Sequence, residues 1–253
     1  MARIFRNLRD WRAERAVLGL TSLSIGFVPT MGALHAGHRS LLERARAEND
    51  RVVLSIFVNP TQFDNQGDLA AYPRTLETDL GVAAGLADHV LLPEPAEIYP
   101  DGFRYRVTES DLSRKLEGAH RPGHFDGVLT VVLRLLNLVR PHRAYFGEKD
   151  RQQLELVRGM VQALFLPVEI IPCPTVRDPD GLALSSRNRR LTPPARSRAA
   201  SFPRILRESP SPSAAAAALG AAGFGVDYVE DRDGVRLSAI RLEGVLLIDN
   251  VRL

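Results

Sequence analysis

The sequence predicts an α/β fold, a Rossmann-like doubly wound parallel sheet with a second, smaller α+β domain behind it. Two patterns carry that expectation. Apolar runs of strand length alternate with segments of helix length up to about residue 174, as successive βα units do. The texture then changes. A polar stretch over 175–188 gives way to short helical segments and two isolated strand-like runs. A division into residues 1–175 and 176–253 follows.

The elements can be justified in order. Residues 23–28 are an apolar run that reads as a strand, stopped at Pro29, and 39–48 reads as a helix. Residues 51–58 are apolar enough for a strand buried on both faces, as parallel strands are. Pro60 cannot continue a central strand, so Asn59 and Gln62 fall in a loop at its carboxyl end. Pro73 suits the first turn of a helix over 73–87. Residues 89–92 form a short third strand before Pro93 and Pro95. Residues 103–125 are less regular, and 116–125 within them hold too much Gly, Pro and charge for an element interior.

A buried helix over 127–139, a strand over 144–146, a helix over 151–164 and a fifth strand over 168–171 complete the alternation. Beyond it, 191–206 reads as one helix with Thr192 as N-cap and Pro193 at N1. A Ser-Pro run then introduces a helix over 214–222, and 226–229 and 245–248 read as strands.

Composition narrows the class. The chain has 253 residues, 45% of them hydrophobic, which supports a substantial core. Its single cysteine, Cys173, excludes a disulfide framework and fits a reducing, cytoplasmic setting. The N-terminus lacks the apolar stretch of a signal peptide, and no apolar run approaches the ~18 residues of a membrane span. Net charge is +3, with acids interleaved among the arginines, so a mixed solvated surface is expected and not a nucleic-acid footprint. Of the 33 basic residues only Lys115 and Lys149 are lysine. In a chain where arginine is the default cation, Lys149 marks a place that wants a compact ammonium.

Three loops at strand carboxyl ends carry the chemistry: 31–38, 59–63 and 147–153. In a parallel sheet such loops converge on one edge, where ligands bind. His35 and His38 stand three apart at the start of a helical segment. A helix N-terminus offers free N–H groups and partial positive charge to a phosphate. Histidines there can donate to phosphate oxygens and stabilise a leaving pyrophosphate. Lys149 supplies a point charge. Asp150 can cap the helix that begins at Arg151 or hold a ribose hydroxyl. Ser185, Ser186 and Arg187 add two hydroxyls and a guanidinium fork.

A plainer reading stands beside each. His35 and His38 could be a surface accident or part of a metal site, although no zinc-ligand spacing accompanies them. Ser185 and Ser186 could be turn residues, and Lys149 and Arg121 solvated side chains. Neither G-x-G-x-x-G nor a P-loop occurs, which weakens ordinary dinucleotide and P-loop readings.

Six motifs in fixed order extend the argument. Pro29-Thr30-Met31-Gly32-Ala33-Leu34-His35-Ala36-Gly37-His38 resembles the P-T-M-G-x-L-H-x-G-H signature of the pantothenate synthetase (pantoate–β-alanine ligase) family, within the HxGH nucleotidyltransferases. Residues 57–63 resemble its F-V-N-P-x-Q-F loop, and Tyr72-Pro73-Arg74 its Y-P-R. Residues 116–128 resemble L-E-G-x-x-R-P-G-H-F-x-G-V. Residues 146–154 resemble F-G-E-K-D-x-Q-Q-L, and 177–188 resemble R-E-x-D-G-L-A-x-S-S-R-N. The chain departs from the pattern at Arg151, where an aromatic is usual, and at Asp178, which replaces glutamate. Residues 227–230 and 247–250 are similar to the family's final segments, with less sequence between them than the resemblance implies. An abbreviated lid is therefore expected.

The resemblance implies an ATP-dependent ligase. Pantoate attacks the α-phosphate of ATP, and β-alanine then displaces AMP from pantoyl adenylate to give pantothenate. It implies that His38 is the proton donor and His35 its phosphate-binding neighbour, with Lys149 and Arg187 also catalytic. Met31, Gly32, Gly37, Gly147, Glu148, Asp150, Val176, Leu184, Ser185 and Ser186 would complete the ATP site. Gln62 and Gln153 would hold pantoate, and Asn59 and Arg121 would lie near the second substrate. Mg²⁺ would accompany ATP, with Asp79 at an acidic position linked to the metal. A cytoplasmic homodimer is implied. The competing expectation is another HxGH-type nucleotidyltransferase that stops at a nucleotide-linked product.

Overall fold

A computed structural model describes residues 2–253. Six strands form one parallel sheet: β1 (Arg3–Phe5), β2 (Ile25–Thr30), β3 (Arg51–Ile56), β4 (His89–Leu91), β5 (Arg143–Gly147) and β6 (Glu169–Cys173), in the order β1-β4-β3-β2-β5-β6. The helices before the polar stretch are α1 (Leu8–Gly19), α2 (Ala36–Glu48), α3 (Gln66–Ala70), α4 (Leu76–Ala83), α5 (Pro95–Ile98), α6 (Glu117–His120), α7 (His124–Val139) and α8 (Arg151–Ala163). Beyond it lie α9 (Pro193–Ala199), α10 (Ser201–Glu208) and α11 (Pro212–Ala221), then an antiparallel sheet of β7 (Gly225–Arg232), β8 (Val235–Leu242) and β9 (Val245–Arg252). The predicted fold class is observed.

The sheet has two cores because neighbouring strand residues face opposite ways. Phe27, Val53, Ala144 and Phe146 pack with Trp11, Phe125, Leu129 and Val157 on one face. Val28, Leu54 and Tyr145 pack with Leu42, Ala45 and Ala83 on the other. A separate core from Leu182 to Val251 joins α9–α11 to the antiparallel sheet.

Chain order explains where the site falls. From β2 the chain proceeds through β3 to β4 on one side, then crosses back to β5 and β6 on the other. The sheet therefore reverses direction between β2 and β5, and ligands bind outside the strand carboxyl ends at such a point.

Several elements differ from expectation. β1 and α1 have no counterpart in the sequence reading. Only three residues of α1 are buried, Leu8, Trp11 and Leu18, within a charged segment. Trp11 still anchors it, its Nε1 donating to Leu138 O at 2.9 Å. The single helix expected over 191–206 is two, parted at Ala200. Pro203 has no N–H to continue the ladder from α9, yet is tolerated in the first turn of α10. β8 escapes the sequence pattern because Arg236 interrupts its apolar run. That guanidinium is buried, paired with Asp231 and donating to Leu206 O and Ser209 O.

Candidate active site

The turn between β2 and α2 is shaped before any ligand enters. Gly32 and Ala33 both lie at positive φ, 83° and 51°. Glycine adopts this region freely; Ala33 does so at a cost. The carboxylate of Asp79, on α4, holds the turn. Its oxygens accept Ala33 N at 3.0 Å and Leu34 N at 2.7 Å, and Thr75 Oγ1 donates to it at 3.1 Å.

His35 is the N-cap of α2. Its Nδ1 accepts Gly37 N at 3.1 Å, and His38 Nδ1 accepts His35 N at 3.3 Å. An Nδ1 that accepts carries no proton, so each neutral ring bears its hydrogen on Nε2. The rings lie 4.1 Å apart, and both residues line the cleft. Burial, with Lys149 nearby, depresses the His35 pKa to about 4. Burial, then His35 and Lys149, depresses that of His38 to about 3. Both imidazoles are neutral at physiological pH and present N–H donors to the cleft.

The opposite lip follows β5. Gly147 leads into a turn over Glu148–Asp150, where Lys149 lies 3.6 Å from Asp150. Asp150 makes no side-chain cap to α8, so the capping role expected for it is not found, and its carboxylate stays at the cleft. The adjacent glutamines of α8 divide by face. Gln152 is buried and braces Leu112 O, Lys115 O and Glu117 N, whereas Gln153 lines the cleft.

Val176 and Leu184 face each other across a hairpin, Leu184 N donating to Val176 O at 3.0 Å. Ser185 accepts Arg187 N through its hydroxyl. Ser186 and Tyr72 both line the cleft, and burial raises the pKa of the Tyr72 phenol. Arg187 donates to Asp68 of α3 at 3.0 Å, and Arg190 takes the other oxygen of that carboxylate.

Gln62 sits at the centre of a network that the sequence motifs only partly reveal. Asn59 is buried; its Nδ2 donates to Gln62 Oε1 at 2.9 Å and Gly127 O at 3.2 Å, and its Oδ1 accepts the Tyr99 hydroxyl at 2.6 Å. Gln62 lines the cleft with its Oε1 engaged by Asn59. Arg121 is buried against Glu117 at 2.6 Å and Asp64 at 3.1 Å, and it donates to Gln62 O at 3.2 Å. His124 Nδ1 donates to the same carbonyl at 2.7 Å, its own pKa lowered by burial. Asn59 and Arg121 thus have their polar groups engaged within the protein, each giving one hydrogen bond to Gln62 and sharing others with Tyr99, Gly127, Glu117 and Asp64. Glu117 and His124 lie inside a recognised motif, and their burial is the signal that sequence reasoning lacked.

The residues present do not build a metal centre at Asp79. Both of its oxygens are taken by the turn it holds. Among the described residues no group of three or more His, Cys, Asp or Glu side chains is placed to hold an ion.

Comparison with known proteins bears on the whole chain. A family model described as pantoate-beta-alanine ligase matches residues 3–252. The chain belongs to the pantoate–β-alanine ligase family. Within that family, a pantothenate synthetase of Bdellovibrio bacteriovorus is 51% identical over 254 residues, covering 100% of both chains. One from Legionella pneumophila is 50% identical, covering 98% of each. Among solved structures, the pantoate-beta-alanine ligase of Francisella tularensis, complexed with beta-gamma ATP and beta-alanine, superposes with a TM-score of 0.95. It is 41% identical and covers 100% of this chain and 98% of its own. The Thermus thermophilus pantothenate synthetase gives 0.89 at 43% identity, covering 99% of each. The end-to-end match with the Bdellovibrio ligase means that the compact C-terminal domain is shared with that relative and is not an abbreviation of it.

Proposed function

We propose that the cleft between β2 and β5 joins pantoate to β-alanine at the expense of ATP, through pantoyl adenylate. A carboxylate is a poor acylating agent. Attack of a pantoate carboxylate oxygen on the α-phosphorus breaks the bond to pyrophosphate and creates an acyl phosphate with AMP as leaving group. The β-alanine amine then attacks the acyl carbon, and AMP departs. Catalysis of this kind rests on positioning and on stabilising charge at the phosphates.

The observation that carries the proposal is the pair of neutral N–H donors, His35 and His38, facing Lys149 across the point where the sheet reverses. In this reading the imidazoles donate their Nε2 hydrogens to phosphate oxygens, with His38 as the donor at the reacting phosphate. Lys149 neutralises the departing pyrophosphate. Met31, Gly37, Gly147, Asp150, Val176, Leu184, Ser185 and Ser186 line the cleft and enclose the nucleotide, and Arg187 moves from Asp68 to the triphosphate. Gly32 and Glu148, expected there, lie outside the cleft lining, Gly32 against Asp79 and Glu148 toward Arg252. Gln62 Nε2 and Gln153 hold pantoate. Asn59 and Arg121 act through Gln62. Mg²⁺ enters as part of the nucleotide substrate.

The division at residues 175 and 176 is proposed as the domain boundary; the separate C-terminal core supports it. A cytoplasmic homodimer is proposed on family membership and on the single buried thiol at Cys173. No helix among the described residues is long and apolar enough to cross a membrane.

Pyrophosphate release tests the proposal. With ATP and Mg²⁺, sustained turnover is expected only when pantoate and β-alanine are both present, and it is lost in His38→Ala. Turnover with a different acceptor, and none with pantoate, would instead make the chain another HxGH-type nucleotidyltransferase.

A further inference from the structure

The last strand of the C-terminal domain reaches the catalytic lip. Asn250, on β9, donates through its single amide nitrogen to two successive backbone carbonyls, Glu148 O at 2.9 Å and Lys149 O at 3.0 Å. Carbonyls only accept, so of the two ends of the amide it must be the NH₂ that faces them, and the amide orientation is fixed by its partners. These carbonyls belong to the three-residue turn between β5 and α8. Bridging them sets the tilt of both peptide planes, and hence the direction in which the Lys149 side chain leaves the backbone.

Asn250 is itself held. Asp249, buried beside it, makes a two-pronged pair with Arg177 at 2.7 and 2.8 Å. The same guanidinium donates to Asn250 O at 3.0 Å and Gly181 O at 3.0 Å. Arg177 lies on the hairpin that carries Leu184 and leads to Arg187. One dipeptide of β9 therefore ties both walls of the nucleotide cleft together: the Lys149 turn through the Asn250 side chain, and the hairpin through Asp249 and the Asn250 carbonyl. Two-pronged guanidinium–carboxylate pairs resist rotation, so the strut is stiff.

We propose that Asn250 is a positioning residue for Lys149, and that the C-terminal domain thereby sets the geometry of the phosphate-binding lip as well as covering it. This rests on the role given to Lys149 above. Removing the amide frees the turn, and misplacement of a charge-stabilising group by about an ångström costs up to ~10²-fold in rate.

A double-mutant cycle on the full-length enzyme, read as kcat for pyrophosphate release, tests it with Asn250→Ala, Lys149→Ala and the pair. Residues acting through one group are non-additive. The expected result is a fall of about tenfold or more for Asn250→Ala in the wild-type background and little further loss in the Lys149→Ala background. Equal losses in both backgrounds would reduce Asn250 to a general structural residue and overturn the proposal. So would a wild-type kcat for Asn250→Ala. A wild-type rate for Lys149→Ala would remove the role of Lys149, and the proposal with it, leaving the ligase reading intact. Should Asn250→Ala fail to fold, Asn250→Asp keeps the volume, loses both donors and carries the same cycle.

Discussion

His38 Nδ1 accepts the backbone N–H of His35 at 3.3 Å, and this one bond decides what His38 can do. It commits Nδ1, leaves the hydrogen on Nε2, and joins burial in keeping the ring neutral. A pH profile checks this. Since the folded pKa values lie near 4 and 3, kcat is expected to show no histidine limb between about pH 5.5 and pH 8. A limb near the ordinary imidazole value, lost in His38→Ala, would show a protonated His38 at work. The His38→Ala variant should lose about 10²–10³-fold in kcat, as removal of an aimed donor does.

The same shifts fix the acid stability. An unfolded histidine titrates near 6.5, whereas folded His35 and His38 refuse the proton until about 4 and 3. Between those values the unfolded chain binds more protons, so these two groups make stability fall as pH drops below 6.5. Urea midpoints from pH 7 to pH 4 should decline less in a His35→Asn, His38→Asn double variant than in wild type. Equal declines would count against buried neutral rings.

Asp79 is expected to behave as the latch of the Gly32–Ala33 turn. In Asp79→Asn the amide NH₂ must face one of two backbone N–H groups, leaving a buried donor unanswered at about 1–3 kcal/mol. Tm and kcat should both fall, while the Mg²⁺ concentration giving half-maximal rate stays unchanged. A shifted Mg²⁺ requirement with normal Tm would identify a metal ligand instead.

Arg121 distinguishes holding from binding. Arg121→Met would strand Glu117 as a buried carboxylate, and breaking such a pair from one side costs about 3–5 kcal/mol. With Gln62 released, the KM for pantoate should rise and the melting temperature drop. A rise confined to β-alanine KM, with normal melting, would place Arg121 against the second substrate.

The scaffold of this site is readable in the sequence because its loops follow apolar runs that Pro29, Pro60 and Gly147 bring to a stop. Positions 31–38 and 147–153 can be read as loops on one edge of the sheet from their place at strand carboxyl ends alone. What stays hidden is commitment. Asn59 and Arg121 have the functional groups to bind a substrate, and only their burial shows those groups already engaged by Gln62, Glu117 and Asp64. Asn250 is equally opaque, since its partners are backbone carbonyls about a hundred residues away in the chain. Short elements such as β1, and β8 with its buried Arg236, escape because neither offers an unbroken apolar period.

Two helical glycines should respond in opposite directions to the same added methyl group. At Gly127, in α7, a Cβ would stand 2.4 Å from Thr61 O and 2.7 Å from Gln62 N. Both are backbone atoms of the turn that carries Gln62, so the helix and the turn must part. Overpacking of this kind costs about 1–3 kcal/mol, and here the displaced atoms bear the pantoate contact. Gly127→Ala should therefore lower Tm and raise pantoate KM together. At Gly159, in α8, a Cβ meets nothing within 4 Å, and the residue is exposed. Alanine there removes unfolded-chain entropy and favours helix, so Gly159→Ala should stabilise by about 0.5–1 kcal/mol without changing either kinetic constant. Thermal melts and pantoate titrations of the two variants check both signs. A Gly127→Ala enzyme with normal pantoate KM would break the link between the close approach of α7 and the placement of Gln62.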